Sequence, residues 1–137
     1  MVKNMEIKKM LVVNDNIDIT SFIKQDLEYL YPSEYYVICV NCRNKCFKVL
    51  IKSLTLPDVI LLDISMPKMN GWEVFDYLKR NFSWKDIPII SISGESDKVA
   101  KNFGKIFVND FIEKPFEIYD LKVRIERVLA RYLRGEI

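Results

Sequence analysis

Short apolar runs rich in β-branched residues alternate along this chain with longer segments of helical spacing. The strand-like runs lie at Met10–Val13, Tyr36–Val40, Val59–Leu62, Ile87–Ile92 and around Phe107–Ile112. Runs of this length bounded by turn residues are typical of buried strands. Strands that alternate with helices favour a parallel sheet covered by helices on both faces. The pattern therefore predicts an α/β fold.

The segments between the runs present apolar faces at helical spacing. The first such face runs from Ile19 to Leu30 and the last from Ile118 to Tyr132. The fourth predicted helix, roughly Ser96–Phe103, is short and contains Asn102 before Gly104. Crossovers between parallel strands are right-handed. We therefore predict a doubly wound, flavodoxin-like five-stranded parallel sheet of order 2-1-3-4-5, with a ligand crevice beyond strands 1 and 3.

The length of 137 residues suits one domain, which we expect to span residues 1–137 with its core at about 8–134. A net charge of +2 gives no argument for direct binding to nucleic acid or to an anionic membrane. The basic residues of the last helical segment, between Lys122 and Arg134, are predicted to form a solvated face. No apolar run approaches the 18 or so residues of a membrane helix.

The first residues lack the apolar core of a signal peptide, so we expect a cytoplasmic protein. The three cysteines are an odd number and are then expected to be reduced thiols. The chain contains no histidine, which excludes histidine-based triads, histidine metal sites and a histidine phosphoryl carrier within it.

Polar residues follow the predicted strands where each strand ends. Asn14 and Asp15 follow the first strand, Asp63 the third, Ser93 the fourth and Lys114 the fifth. The carboxyl ends of parallel strands meet at one edge of a sheet, so we expect these side chains to share one crevice.

Two neighbouring carboxylates repel each other unless a cation lies between them. Mg²⁺ prefers oxygen ligands and is usually held by one or two carboxylates plus waters. Asp15 and Asp63 are the expected carboxylate ligands, with the Ser65 backbone carbonyl as a third ligand from the protein. Mn²⁺ is a possible substitute.

A carboxylate can also act as a nucleophile toward phosphorus and form an aspartyl phosphate. Phosphoryl transfer requires in-line positioning and cations on the equatorial oxygens rather than much covalent chemistry from the protein. Mg²⁺ and Lys114 would supply positive charge, and the Ser93 hydroxyl could donate to a third oxygen. The residues therefore predict a phosphoryl-acceptor site.

Several segments support this interpretation by resemblance. Residues Pro57–Val74, PDVILLDISMPKMNGWEV, closely resemble the phosphoacceptor block of two-component response-regulator receiver domains, of the chemotaxis-regulator type. LVVND, IPIISISG and DFIEKPF, at the ends of the first, fourth and fifth strands, are also similar to blocks of that family. The resemblance covers nearly the whole chain.

The resemblance implies roles for individual residues. Asp63 resembles the phosphorylated aspartate, and Asp15 an acid that binds the metal directly. Lys114 resembles the lysine that pairs with the phosphoryl group. Ser93 resembles the hydroxyl residue of the switch and Phe111 its aromatic residue. Phe111 would turn inward when Ser93 moves toward the phosphoryl group, and its role would be packing only because it has no phenolic hydroxyl.

The chain departs from the family pattern at two places. Asn14 stands where the family usually has the first of two adjacent acids, which contacts the metal through water. An amide oxygen can still accept from a water, so we expect weak water-mediated contact and weaker Mg²⁺ binding, not its loss. Phe107 and Val108 replace the usual Gly-Ala pair before the fifth strand. Ser65 and Glu95 are expected to tune the rate at which the aspartyl phosphate hydrolyses, because they could affect the access of water to it.

The family also implies partners. With no histidine in this chain, the phosphoryl donor would be the phosphohistidine of a sensor histidine kinase or a phosphotransfer protein. The output would be a downstream protein that reads the face formed by the fourth helix, fifth strand and fifth helix. We expect no direct contact with nucleic acid and no membrane partner. Any catalysis would be limited to self-phosphorylation and autodephosphorylation.

Other interpretations stay open at this point. A degenerate receiver would bind partners without phosphorylation, which Asn14 slightly favours. An aspartate-nucleophile phosphatase usually needs a second aspartate two residues after the nucleophile, where this chain has Ser65. Little chain follows Arg134, so a freestanding receiver is the simplest expectation, but a fragment of a longer regulator or hybrid kinase would look the same.

Overall fold

The structure is a computed structural model that describes residues 6–64, 70–94 and 97–137, with backbone alone at 100 and 103–106. The described residues form five strands and five helices in strict alternation: β1 Lys8–Val13, α1 Ile17–Leu30, β2 Tyr35–Val40, α2 Arg43–Lys52, β3 Val59–Asp63, α3 Gly71–Arg80, β4 Ile89–Gly94, α4 Lys98–Phe107, β5 Asp110–Lys114 and α5 Ile118–Leu133.

The strands form one parallel sheet in the order β2-β1-β3-β4-β5, so the predicted fold class and strand order are confirmed. Val13 lies opposite Leu62, Asp63 opposite Ile92, and Gly94 opposite Lys114. The winding direction reverses between β1 and β3. This register sets the carboxyl ends of β1, β3, β4 and β5 along one edge of the sheet.

Successive strand residues point to opposite faces of the sheet, and each face has its own hydrophobic core. Leu11, Ile60 and Leu62 pack with α2 and α3 on one face. Met10, Val12 and Leu61 pack with α1 and α5 on the other. Because β1 and β3 are buried on both sides, they read in the sequence as continuous apolar runs.

Asparagine side chains cap the N-termini of two of the helices. The Asn16 side chain accepts from the backbone N–H groups of Asp18 and Ile19 at the start of α1. Asn70 accepts from the N–H groups of Trp72 and Glu73 at the start of α3. Each cap satisfies N–H groups that have no partner within the helix.

Two predicted boundaries near the end of the chain were wrong. α4 runs from Lys98 to Phe107, through Gly104, rather than ending near Phe103. β5 consequently begins at Asp110 instead of near Phe107. A glycine inside a helix costs only about 1 kcal/mol relative to alanine, which tertiary packing can outweigh. Within the described ranges, no helix combines the length and apolar character needed to cross a bilayer.

Candidate functional site

The polar residues predicted from the strand ends are brought together at the carboxyl edge of the sheet. Asp63 is the last residue of β3 and Lys114 the last of β5. Asn14 follows β1 directly, and Ser93 lies one residue before the end of β4. Pairing between neighbouring strands places all four at the same edge.

The Asp63 carboxylate lies at the centre of this group and is only 2% exposed. The Lys114 ammonium lies 2.6 Å from Asp63 Oδ2 and forms a salt bridge with it. The Asn14 side-chain amide donates to the same oxygen at 3.1 Å. Hydrogen bonds to an ionised group are shorter and stronger than neutral ones. The carboxylate is therefore held in one orientation by donors from two other strand ends.

Asn14 is fully buried, and both ends of its side chain are engaged. Its Nδ2 donates to Asp63, and its Oδ1 accepts from the backbone N–H of Asn16 at 2.9 Å. Asn16 in turn caps α1, so the amide links the start of that helix to Asp63. A carbonyl oxygen has a second lone pair, and the water-mediated metal contact of Asn14 stays a prediction.

Ser93 is 1% exposed, and its hydroxyl has no hydrogen-bond partner within the described part of the chain. Ser91, two residues earlier on the same strand, shares this property. A buried polar group without a partner costs about 1–3 kcal/mol, and such groups often have a functional reason. Ser93 follows Ile92, the residue that pairs with Asp63 across the sheet, and its contact with a phosphoryl group on Asp63 stays a prediction.

The donor set suits an ion that keeps several of its waters. Asp15 follows Asn14 and is half-buried, and Asp63 supplies the second carboxylate. Among the described residues, no group of three or more acidic, cysteine or histidine side chains is placed to hold a metal. Mg²⁺ is commonly bound through one or two carboxylates and waters, so these residues fit it. The predicted Ser65 carbonyl ligand lies outside the described residues.

Phe111, the predicted switch aromatic, is half-buried on β5 opposite Ser91. The Arg124 guanidinium of α5 lies over its ring, 5.7 Å from the ring centroid. This arrangement is a cation–π contact. Glu95, like Ser65, lies outside the described residues, so the predicted rate-tuning roles of both stay predictions.

The space between the start of α3 and the end of β3 is too small for any residue but Gly71. A Cβ atom at this first residue of α3 would lie 2.5 Å from the Asp63 carbonyl oxygen and 2.7 Å from Ile64 Cα. Both neighbours are backbone atoms and cannot turn away as a side chain could. Only glycine allows α3 to begin so close to the end of β3.

The predicted solvated face of α5 was wrong in part. Arg124 and Arg127 both form salt bridges with Asp110, at 3.0 and 2.6 Å, and Arg131 donates to the Asn109 carbonyl at 3.3 Å. These arginines recur at helical spacing and therefore share the side of α5 that faces the start of β5. Charge balance along the sequence could not reveal this because Asp110 belongs to a different element.

Comparisons with known proteins identify the family of this chain. The family model described as "Response regulator receiver domain" matches residues 10–126. The response regulator ArlR of Staphylococcus saprophyticus is 34% identical over 125 residues, which cover 90% of this chain and 53% of that protein. A probable transcriptional regulator, ycf27, of Guillardia theta is 29% identical and is covered to 46%. This chain thus spans about half the length of these two curated relatives.

Solved structures give the same result over more of their length. The chemotaxis response regulator CheY4 of Vibrio cholerae superposes with a TM-score of 0.74 at 26% identity, covering 89% of this chain and 98% of that one. A response regulator of Chloroflexus aurantiacus gives a TM-score of 0.76 at 25% identity, covering 91% and 99%.

Proposed function

Because the chain belongs to the response-regulator receiver family, we propose that Asp63 is its phosphoryl acceptor in a Mg²⁺-dependent transfer. The family itself has a phosphoacceptor role in two-component signalling. The donor would be the phosphohistidine of a partner sensor histidine kinase or phosphotransfer protein. We also propose that residues 1–137 act as one domain with its core at about 8–134.

The observation that carries this proposal is the setting of Asp63. A buried carboxylate lies 2.6 Å from the Lys114 ammonium, at the edge of the sheet where Ser93 carries a buried hydroxyl that has no partner among the described residues. A carboxylate that served only to cap a loop would need neither. A phosphoryl group on Asp63 would give Lys114 and Ser93 oxygens to bind.

The chemistry follows from these positions. A carboxylate oxygen of Asp63 attacks phosphorus in line with the leaving imidazole, so an O–P bond forms as the N–P bond breaks. The imidazole nitrogen keeps the electron pair. Lys114 stabilises charge on an equatorial oxygen, and Ser93 donates to another. Mg²⁺, held by Asp15 and Asp63 when bound, supplies further positive charge at the phosphoryl oxygens.

The readout would be a change on the face formed by α4, β5 and α5. Movement of Ser93 toward the phosphoryl group leaves space that the Phe111 ring can fill from its half-buried position. A downstream protein that binds one arrangement better than the other shifts the population toward it. Coupling of this kind typically amounts to about 1–3 kcal/mol. We propose a protein as the target rather than nucleic acid, since Arg124 and Arg127 of this face are already paired with Asp110.

One observation favours a second candidate. Asn14 carries no charge where a second acid would strengthen metal binding, and its amide already occupies Asp63 Oδ2. A degenerate receiver that binds its partner without phosphorylation is consistent with this substitution. The ion pair between Lys114 and Asp63 supports the phosphorylated switch instead.

The deciding experiment is phosphorylation by a small acyl phosphate with Mg²⁺, followed by intact-mass spectrometry. Wild type is expected to gain the mass of one phosphoryl group, and Asp63→Asn is expected to gain none. Asp76→Asn, which alters an exposed carboxylate on α3, is the matched control and should behave as wild type. Absence of the gain in wild type, or an equal gain in Asp63→Asn, would favour the degenerate module.

A further inference from the structure

One face of the half-buried Phe111 ring lies under a charged group. The Arg124 guanidinium carbon lies 5.7 Å from the ring centroid, and the two residues belong to neighbouring elements, α5 and β5. A cation above an aromatic face is attracted by the negative charge of that face. The ring thus makes an attractive contact in its present position that it loses on turning inward.

Asp110 holds Arg124 in place. Its side chain is 10% exposed, and its Oδ1 lies 3.0 Å from Arg124 Nη1. The same oxygen accepts from the Phe111 backbone N–H at 2.8 Å, and Oδ2 lies 2.6 Å from Arg127 Nη2. The carboxylate is therefore fixed by three partners. The salt bridge with Asp110 restrains the Arg124 side chain to a position beside Phe111.

We propose that Arg124 is a positioning residue that holds Phe111 outward and so opposes the switch. The inference rests on the proposed function and concerns the regulation of that same site. The cation–π contact exists only while the ring is outward, so its whole free energy favours the unphosphorylated arrangement. A contact of this kind at a half-exposed position shifts a two-state equilibrium by about two- to fivefold.

The consequence extends to the surface. When the ring turns inward, Arg124 loses its aromatic partner and keeps its salt bridge with Asp110. Its guanidinium then presents the face that covered the ring to solvent or to a docking protein. Ring and cation are thereby coupled, and a partner that contacts Arg124 from outside would favour the inward ring.

The test compares two arginine variants that remove the same charge from the same helix. Arg124→Gln removes the cation from Phe111, whereas Arg127→Gln removes a salt bridge to Asp110 without contact to the ring. Beryllofluoride binding in Mg²⁺ measures access to the active arrangement. Arg124→Gln is expected to bind about two- to fivefold more tightly than wild type. Arg127→Gln should stay near wild type, and Arg124→Lys should lie between wild type and Arg124→Gln.

A second readout needs no metal. 4-Fluorophenylalanine at position 111 gives a fluorine resonance that responds to the overlying cation, and its shift should move in Arg124→Gln but not in Arg127→Gln. A double-mutant cycle distinguishes the contact from a general packing effect. The gain in beryllofluoride affinity from Arg124→Gln should vanish in the Phe111→Leu background. Persistence of the gain there, or equal gains in both arginine variants, would overturn the inference. Failure of wild type to bind beryllofluoride would instead count against the proposed function, while the fluorine shift would still test the contact.

Discussion

Asn14 and Asp63, 49 residues apart in the chain, are joined inside the protein by a hydrogen bond of 3.1 Å from Nδ2 to Oδ2. Asn14, which stands where the family usually has an acid, thus donates a hydrogen bond to Asp63, the proposed phosphoryl acceptor. A carboxylate at position 14 could not donate this bond. The substitution therefore changes both the charge of the site and the way Asp63 is held.

Asn14→Asp is expected to lower the stability of the protein and to raise its affinity for Mg²⁺. Without Mg²⁺ it should lower the free energy of unfolding by about 1–3 kcal/mol, because a buried hydrogen bond is replaced by repulsion between carboxylates. The added carboxylate should tighten Mg²⁺ binding by about tenfold. Urea unfolding in EDTA and calorimetric titration with Mg²⁺ measure the two effects.

Asn14→Ala is the control for that pair of measurements. It removes the donor to Asp63 without adding charge, so it should lose stability in EDTA and gain no Mg²⁺ affinity. An unchanged affinity in Asn14→Asp would contradict the proposed metal site.

Lys114→Met should destabilise the protein by about 2 kcal/mol in urea unfolding at pH 7. Breaking a fully buried ion pair costs about 3–5 kcal/mol, and the Lys114 side chain is partly exposed. In the Asp63→Asn background the same change should cost much less, because no carboxylate is then left without its cation. Equal costs in the two backgrounds would show that Lys114 acts through packing alone.

Gly71→Ala is expected to destabilise the protein by about 1–3 kcal/mol, since the new methyl group meets backbone atoms. Helix propensity alone would predict a gain of about 1 kcal/mol, so the sign of the effect distinguishes the two causes. Gly94→Ala is the matched control, because a Cβ there has no neighbour within 4 Å among the residues that the structure describes. Thermal unfolding of both variants provides the measurement.

A charged cluster at the amino edge of the sheet predicts a pH dependence. Burial disfavours the charged form of Glu126, but hydrogen bonds from Lys8 and Tyr35 and the charges of Lys8 and Lys122 outweigh it and lower its pKa. A carboxyl with a lowered folded-state pKa stabilises the protein above its unfolded pKa, and this stability is lost as pH falls. Burial, and then the bond to Glu126, raise the pKa of Tyr35, so its contribution is lost as pH rises above about 10.

Glu126→Gln should therefore flatten the loss of stability from about pH 5 downwards. Urea unfolding of wild type and variant at a series of pH values measures the slope. Glu117→Gln, on an exposed residue before α5, should keep the slope of wild type. If Glu126→Gln retained that slope too, the acid sensitivity would arise elsewhere.

The architecture could be predicted because its signals are local. Five apolar runs and the helical spacing between them predicted the sheet, and parallel strands then had to bring Asp63 and Lys114 to one edge. The extent of α4 could not be predicted in the same way. Gly104 ends a helix by propensity alone, but packing against β4 and β5 carries α4 on to Phe107.

Finer features of the site depend on distances between elements. The bond from Asn14 to Asp63 requires the β1–β3 register, which no single segment contains. The closeness of Gly71 to Asp63 depends on where α3 docks. The pairing of Arg124 with Asp110 depends on how α5 lies across β5. Residue types suggested none of these contacts, although the glycine after Asn70 could have signalled close approach.

Because side chains alternate along β3, the face of the sheet on which Asp63 lies depends on whether the number of residues before it in the strand is even or odd. Val59, Leu61 and Asp63 have one parity, and Ile60 and Leu62 have the other. Inserting one residue within this strand would exchange the two apolar layers and would also rotate the acceptor carboxylate away from Lys114. Inserting two would restore the facing of the side chains but would carry the carboxylate about 6.6 Å further along the strand, away from its 2.6 Å contact with Lys114. Evolution can therefore lengthen this strand only in steps of two without moving the acceptor to the wrong side.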